Sequence, residues 1–412
     1  MQGIMHGFSV IVTVFGQYPI LSLGILLLAG YFLGKLCEVV KLPAITGYIL
    51  AGLILGRSVT GIISAQMGHS LKAITEVALG LIALTIGGEF SIAKIKQTGI
   101  NILIITLFEA VLAYCFVTII LFLFGVDPRV SFLLGAIAAA TAPAATVVII
   151  KELRARGEFV DYLYGVVAFD DAVCVILFSI TFSLVAPLLT GVAARGGFSH
   201  AVIELALSFL VGGTGGLLIH VLTIKKYRIN EIMLISLSIL FLVSASSVIF
   251  RLSPLISNMA MGATVVNLSP KNRRIFSIIE PLTPPIFALF FILAGTELNV
   301  AIFAKGLVVG LGLIYIASRF MGKMAGVLIA GSVTGAPKQV KRYLGFCLFP
   351  QAGVAIGLAL FLQTSTAALS AGPEVKEYFS LIVNIVLLSV FINELVGPVI
   401  SKYGIRRGTG LY

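Results

Sequence analysis

The sequence predicts an all-α polytopic membrane protein of about thirteen transmembrane helices, built as two inverted repeats that contain discontinuous helices. Of its residues 59% are hydrophobic and only 11% charged, with a mean hydropathy of +1.12, whereas a soluble domain carries about 25% charged residues. The basic residues alternate between loops rich and loops poor in Lys and Arg, and short motifs recur at offsets of 207 to 211.

The spans follow in order. Span 1 (19–37) ends at Lys35 and Lys41, and span 2 (42–57) at Arg57. Span 3 (72–91) opens at Lys72 and precedes Lys94 and Lys96; span 4 (99–125) precedes Arg129. Span 5 (130–151) is followed by Lys151, Arg154 and Arg156, and span 6 (160–189) by Arg195. Span 7 (199–223) leads to Lys225, Lys226 and Arg228, span 8 (230–250) to Arg251, and span 9 (253–268) to Lys271, Arg273 and Arg274. Span 10 (279–297) precedes Lys305, span 11 (302–332) precedes Lys338, Lys341 and Arg342, and span 12 (339–363) precedes Lys376. Span 13 (375–403) ends among Lys402, Arg406 and Arg407. Alternate loops therefore hold nineteen and seven basic residues, with Arg319 and Lys323 left inside span 11. The positive-inside rule places the N-terminus outside and the C-terminus in the cytoplasm. It also accounts for the net charge of +11 without a nucleic-acid partner. The start, MQGIMHGFSVIVTVFGQYP, lacks a basic n-region and a small-residue cleavage site, so no signal peptide is expected.

Gly87-Gly-Glu89-Phe recurs as Gly295-Thr-Glu297-Leu, and Lys41-Leu-Pro43 loosely as Arg251-Leu-Ser-Pro254. An odd number of spans separates the matches, so the repeats (roughly 42–189 and 253–403) are inverted, which sets the binding site near the midplane beside interrupted helices. Interruptions are expected at Thr141-Ala-Pro143-Ala-Ala-Thr146 and at Phe349-Pro350-Gln351. Each proline removes an amide and frees a carbonyl that becomes a candidate cation ligand.

Within span 6, Asp170 and Asp171 stand side by side with no other charge for eight residues on either side. Each acid at that depth costs about 2.5–3.5 kcal/mol on insertion scales, which fits carboxylates that bind a cation, a proton, or each in turn. Sodium and potassium are hard ions that take oxygen ligands, so Asp170 and Asp171 are the candidate ligands for Na⁺ or K⁺, with Thr141 and Thr146 as further oxygens. Protons and the cation compete for the same atoms, and competition at one site with alternating access is sufficient for antiport. Glu109 in span 4 and Arg319 in span 11 are offset by 210 and are expected to form a buried ion pair. The alternative is that Arg319 leaves Glu109 for Asp170 or Asp171 during the cycle. Lys323, one turn on, is expected to snorkel towards the interface, and Glu89 and Glu297 to be solvated at span ends. Cys37, Cys115, Cys174 and Cys347 show no metal-ligand spacing and read as small buried hydrophobes. His6, His69, His200 and His220 are scattered, and no nucleophile–base pair appears, so neither an enzyme nor a cofactor is expected.

With these residues in place, the chain resembles the monovalent cation:proton antiporters of the NapA-, GerN- and KefC-like branch over essentially all of 19–403. The motifs are LPAITGYILAGLILG (42–56), TAPAAT (141–146), Asp170-Asp171, RFMG (319–322) and ELVGP (394–398). The resemblance implies an NhaA/NapA-like fold with crossed discontinuous helices, a homodimer, and a bacterial or archaeal inner membrane. It implies that Asp171 is the principal cation and proton ligand and that Asp170 tunes it. It treats the chain as a single antiporter domain, without the soluble nucleotide-binding domain of KefC-like systems. Electrogenic relatives carry a lysine on the helix that bears Arg319, and some have a lysine where this chain has Gln351. An arginine does not readily give up its proton, so one-for-one, electroneutral exchange is expected. KefC-like systems tend to have Gln-Asp in place of Asp-Asp, which leans the ion towards Na⁺. A K⁺/H⁺ antiporter and a cation channel are the alternatives.

Overall fold

The computed structural model describes residues 18–39, 43–56, 58–63, 71–93, 99–142, 146, 149–150, 153–190, 197–225, 228–250, 252–298, 306–365 and 372–410. Every regular element among them is helical: α1 (Pro19–Val39), α2 (Ala44–Leu55), α3 (Lys72–Glu89), α4 (Ile100–Leu123), α5 (Pro128–Ala138), α6 (Glu158–Thr190), α7 (Gly197–Thr223) and α8 (Ile229–Ile249), then α9 (Pro254–Leu268), α10 (Arg273–Ile279), α11 (Thr283–Thr296), α12 (Leu307–Val333), α13 (Lys338–Cys347), α14 (Gly353–Thr364) and α15 (Pro373–Thr409). Among the described residues eight helices are long and apolar enough to cross a membrane. The other expected spans coincide with helices that are shorter, more charged or interrupted. Outward-facing Phe32, Leu242 and Val399 are each at least 65% exposed, as suits a protein whose solvent is lipid. This is an integral membrane protein.

The helices fall into two compact units. The first holds α1, α2, α11 and the start of α3. Its centre is a backbone contact: an added Cβ at Gly52 would strike the Ile292 carbonyl, and one at Gly295 the Ile49 carbonyl. Small residues let membrane helices approach this closely, where packing and not water exclusion holds them. Gly52 belongs to the 42–56 motif and Gly295 to the repeated Gly-x-Glu motif, so both motifs encode this crossing. Leu26, Ala51, Ile63, Leu71, Ile292 and Leu293 complete the core.

The second unit holds the rest of α3, α4–α10, α12 from Gly310 on, and α13–α15. In it α6 runs through the middle and packs against α4, α5, α13 and α15. Leu163 and Val166 of α6 share a core with Ile105 of α4, Val327 of α12, Leu344 of α13 and Ile405 of α15. Helix α5 starts cleanly: Gly125 (φ +82°) turns the chain, Pro128 opens the first turn, and the Asp127 side chain accepts the Arg129 amide. Its end is abrupt. Residues 140–142 are not helical, because proline disfavours helix in the residue before it and supplies no amide. Pro143 itself lies outside the described residues. The second expected interruption has the same cause: α13 ends at Cys347, and α14 starts only at Gly353, with Pro350 between them. Gly397 of α15 makes room for that proline, since an added Cβ would lie 3.1 Å from its ring.

Candidate functional site

The two breaks lie against each other. The Ala142 amide donates to the Pro350 carbonyl at 2.9 Å, and the Thr146 hydroxyl to the Cys347 carbonyl at 3.1 Å. Two helix C-termini, those of α5 and α13, thus present unpaired carbonyls in one apolar place. Each C-terminus carries a partial negative charge of roughly half an electron, which favours a cation there. Arg319 provides it. Its Nε donates to the Ala138 carbonyl at 2.9 Å, Nη1 to Phe349 at 2.6 Å, and Nη2 to Ala140 at 2.6 Å and Leu348 at 3.3 Å. The carbonyls expected to ligate a transported cation are therefore occupied by a guanidinium, whose five donors in a rigid fork suit several acceptors at once.

Glu109 accordingly has a different partner from the one expected. Lys323 Nζ lies 2.7 Å from Glu109 Oε2, 2.8 Å from Thr141 Oγ1, and 3.2 and 3.4 Å from the Asp170 carboxylate oxygens. The lysine does not snorkel: Arg319, Lys323, Glu109 and Asp170 are each at most 1% exposed. The physical reason is register. Tyr315, Arg319 and Lys323 recur every four residues and share one face of α12, and that face places Arg319 at the breaks and Lys323 one turn further, at the acids.

Asp171 stands apart from this ion cluster. The Thr141 amide faces its carboxylate, and its Oδ1 is buried with no hydrogen-bond partner among the described residues. Asp170, Thr141, Glu109 and Lys323 are thus brought together, with Asp171 beside them on the Thr141 amide, and Thr146 is not: its hydroxyl serves the opposite break. Asn384 donates to the Ser380 carbonyl at 2.7 Å within α15, Ser179 Oγ is buried with no partner among the described residues, and Glu89 is exposed. Gln351 is buried and ties the breaks to two other helices, donating to the Ile137 carbonyl (3.1 Å) and Tyr315 Oη (3.0 Å) and accepting from Ser389 Oγ (3.1 Å). Tyr315, Ser389 and Asn393, which donates to Ser389 Oγ at 3.1 Å, were not anticipated. The four-residue spacing from Tyr315 to Arg319 was the available signal.

Residues 23–402 match the family described as sodium/hydrogen exchanger, transmembrane. The chain is 21% identical over 362 residues to the ammonium/H⁺ antiporter subunit AmhT of Alkalihalophilus pseudofirmus, covering 85% of this chain and 88% of that protein. It is 24% identical over 399 residues to a glutathione-regulated potassium-efflux system protein of Haemophilus influenzae, covering 92% of this chain but 61% of that protein's length. It is 21% identical over 381 residues to the high-affinity Na⁺/H⁺ antiporter NhaS3 of Synechocystis, covering 82% of each. The sodium proton antiporter MjNhaP1 of Methanocaldococcus jannaschii superposes with a TM-score of 0.67 at 20% identity, over 93% of this chain and 97% of that one, and so has the same fold. The chain belongs to the sodium/hydrogen exchanger transmembrane family, a family of transporters.

Proposed function

We propose that the protein exchanges one monovalent cation, Na⁺ before K⁺, for one proton at Asp171 by alternating access. The observation that carries this reading is the buried Oδ1 of Asp171, which has no hydrogen-bond partner among the described residues, beside an Asp170 already engaged by Lys323. An ionised carboxylate oxygen left unpaired is costly in an apolar interior, and either a proton or a metal cation removes that cost. The two therefore compete for one oxygen. Thr141 contributes its amide and hydroxyl at the break, Asp170 sets the local charge, and Thr146 serves the helix crossing. Arg319 and Gln351 hold the crossing in shape.

In this reading the sequence forms one transport domain of thirteen spans, with inverted repeats at about 42–189 and 253–403. It works as a homodimer with the N-terminus outside and the C-terminus cytoplasmic. Potassium is the second reading, favoured by the likeness to the potassium-efflux protein over 92% of this chain.

The test is reconstitution of the full chain in proteoliposomes with a pH-sensitive dye, adding Na⁺, Li⁺ and K⁺ in turn. Dequenching that follows the cation, and is lost in Asp171→Asn, is expected. Cation flux that ignores the pH gradient would mark a channel instead and overturn the proposal.

A further inference from the structure

The Glu394-Leu-Val-Gly397-Pro398 motif takes no part in the site at Asp171, yet it carries a buried acid. Glu394 of α15 is 2% exposed, and its Oε2 has no hydrogen-bond partner among the described residues. Pro398 lies inside the same helix. A proline has no amide, so the carbonyl four residues before it, that of Glu394, loses its regular donor. The neighbouring Asn393 Oδ1 is also buried with no partner among the described residues. This stretch of α15 therefore gathers acceptors and is short of donors. It also lies against the second break. Gly397 seats Pro350, an added Cβ lying 3.1 Å from the ring, and Asn393 Nδ2 donates to Gln351 Oε1 at 3.5 Å and to Ser389 Oγ at 3.1 Å.

No charged side chain among the described residues acts on Glu394. Helices α5, α6, α13 and α14 pack on α15, and α14 has no ionisable residue. In α13, Cys347 and Tyr343 meet α15 at Gly404, about 15 Å along the axis from Glu394, and Lys338, Lys341 and Arg342 precede them in the chain. Arg129 of α5 reaches Glu374, at the start of α15. In α6, Asp170 is engaged by Lys323, Asp171 faces the Thr141 amide and Cys174 the Ala136 carbonyl. Glu158 and Asp161 flank Phe159, which meets α15 at Gly408. Tyr315 and Arg319 of α12 are taken up by Gln351 and the Phe349 carbonyl. On α15 itself the nearest ionisable residue is Lys402, about 12 Å along the axis.

An ionised carboxylate in such a place is costly. A metal cation needs several oxygens in place of its water, and among the described residues no group of three or more His, Cys, Asp or Glu side chains is placed to hold one. A proton needs a single oxygen. We propose that Glu394 is a second proton-binding site: its carboxyl keeps a proton that secures α15 against the second break and is distinct from the proton exchanged at Asp171. That distinction rests on the cation/proton exchange reading, whereas the site itself does not. Glu394 acts through the break that it helps to seat and is a positioning residue.

Infrared difference spectra of the full chain in proteoliposomes, titrated from about pH 5 to about pH 9, read the C=O stretch of protonated carboxyl groups. The unaltered protein should lose a band over this range that Asp171→Asn also shows and Glu394→Gln lacks. Over the same range its melting midpoint should fall by about 2 °C or more relative to that of Glu394→Gln. A proton bound by the folded chain and lost as pH rises stabilises less and less, and an amide has no such proton to lose. If Glu394→Gln does not fold, Glu394→Asp should move the band in frequency. Adding Na⁺ and then K⁺ at constant pH should deplete a band that Asp171→Asn lacks and leave the Glu394 band in place. A band unchanged by substitution at position 394, a midpoint difference that is constant with pH, or depletion of the Glu394 band by the cation would each overturn the proposal. Cations that deplete no carboxyl band at all would instead overturn the exchange reading, while the titration still decides for or against the proton at Glu394.

Discussion

Arg319 and Lys323 are four residues apart on one face of α12, both buried and both cationic, yet their surroundings are opposite. The arginine meets only backbone carbonyls, from Ala138 and Ala140 on one side and Leu348 and Phe349 on the other. The lysine meets two carboxylates and a hydroxyl. Guanidinium is a flat fork of five donors that does not readily lose its proton, whereas ammonium is a compact charge on a flexible stem. The fork joins the ends of two broken helices, which are fixed dipoles. The point charge sits among groups whose own charge can change. One turn of helix thus separates a structural cation from one placed to respond.

The comparison is sharpest at its extremes. Asp171→Asn should reduce exchange to the background of empty liposomes while leaving the melting temperature near that of the unaltered protein, because the amide cannot carry the competing proton. Transport near normal would show that the responsive end of the site lies elsewhere. Arg319→Lys should do the reverse and destabilise the fold by about 3–5 kcal/mol, since carbonyls of two helices lose charged donors at once. Thermal unfolding in detergent measures this, and an unchanged midpoint would mean that the crossing holds without its fork.

A smaller effect separates the two cations by their coupling to Glu109. In a double-mutant cycle, Glu109→Gln with Lys323→Gln should be non-additive by about 1–3 kcal/mol, whereas Glu109→Gln with Arg319→Gln should add more nearly. Equal coupling in both cycles would erase the distinction. The smallest effect lies outside the spans, where Asp127 accepts the Arg129 amide at 2.8 Å and its guanidinium at 2.9 and 2.7 Å. These bonds to Arg129 hold the Asp127 carboxyl below its usual range. Its contribution is therefore complete above the unfolded value of about 3.9 and disappears as pH falls through the lower folded value. Asp127→Ala should cost about 1 kcal/mol at neutral pH and nothing once the folded protein is titrated below that lower value. A difference that persists at low pH would point to packing in place of charge.

Much of this was legible in the sequence, and the limit is instructive. Length and hydropathy located the helices, and the two proline motifs located the breaks, because both are local properties of the chain. Asp170, Glu109, Arg319 and Lys323 stood out because charge inside a span is rare. What the repeat offset could not supply was helix rotation: it aligned Glu109 with Arg319, and the structure places Lys323 there instead. Four residues is one turn, so either residue satisfies the spacing argument. The fate of the freed carbonyls was misjudged for the same reason, since which cation reaches them depends on two helices meeting. The glycines at 322 and 326, where an added Cβ would strike α4 at Ala113 and Glu109, were the overlooked clue to which face of α12 meets α4.

The meeting of the breaks also sets a clock. An amide outside any helix ordinarily trades its hydrogen for solvent deuterium quickly, since no ladder must open first. Ala142 is such an amide, yet its hydrogen is bound to the Pro350 carbonyl, under a guanidinium that grips both strands of the crossing. Its isotope exchange then requires the two broken helices to part, an opening closer in free energy to global unfolding than to loop motion. If alternating access carries the crossing as one body, Ala142 should keep its hydrogen through many thousands of transport cycles.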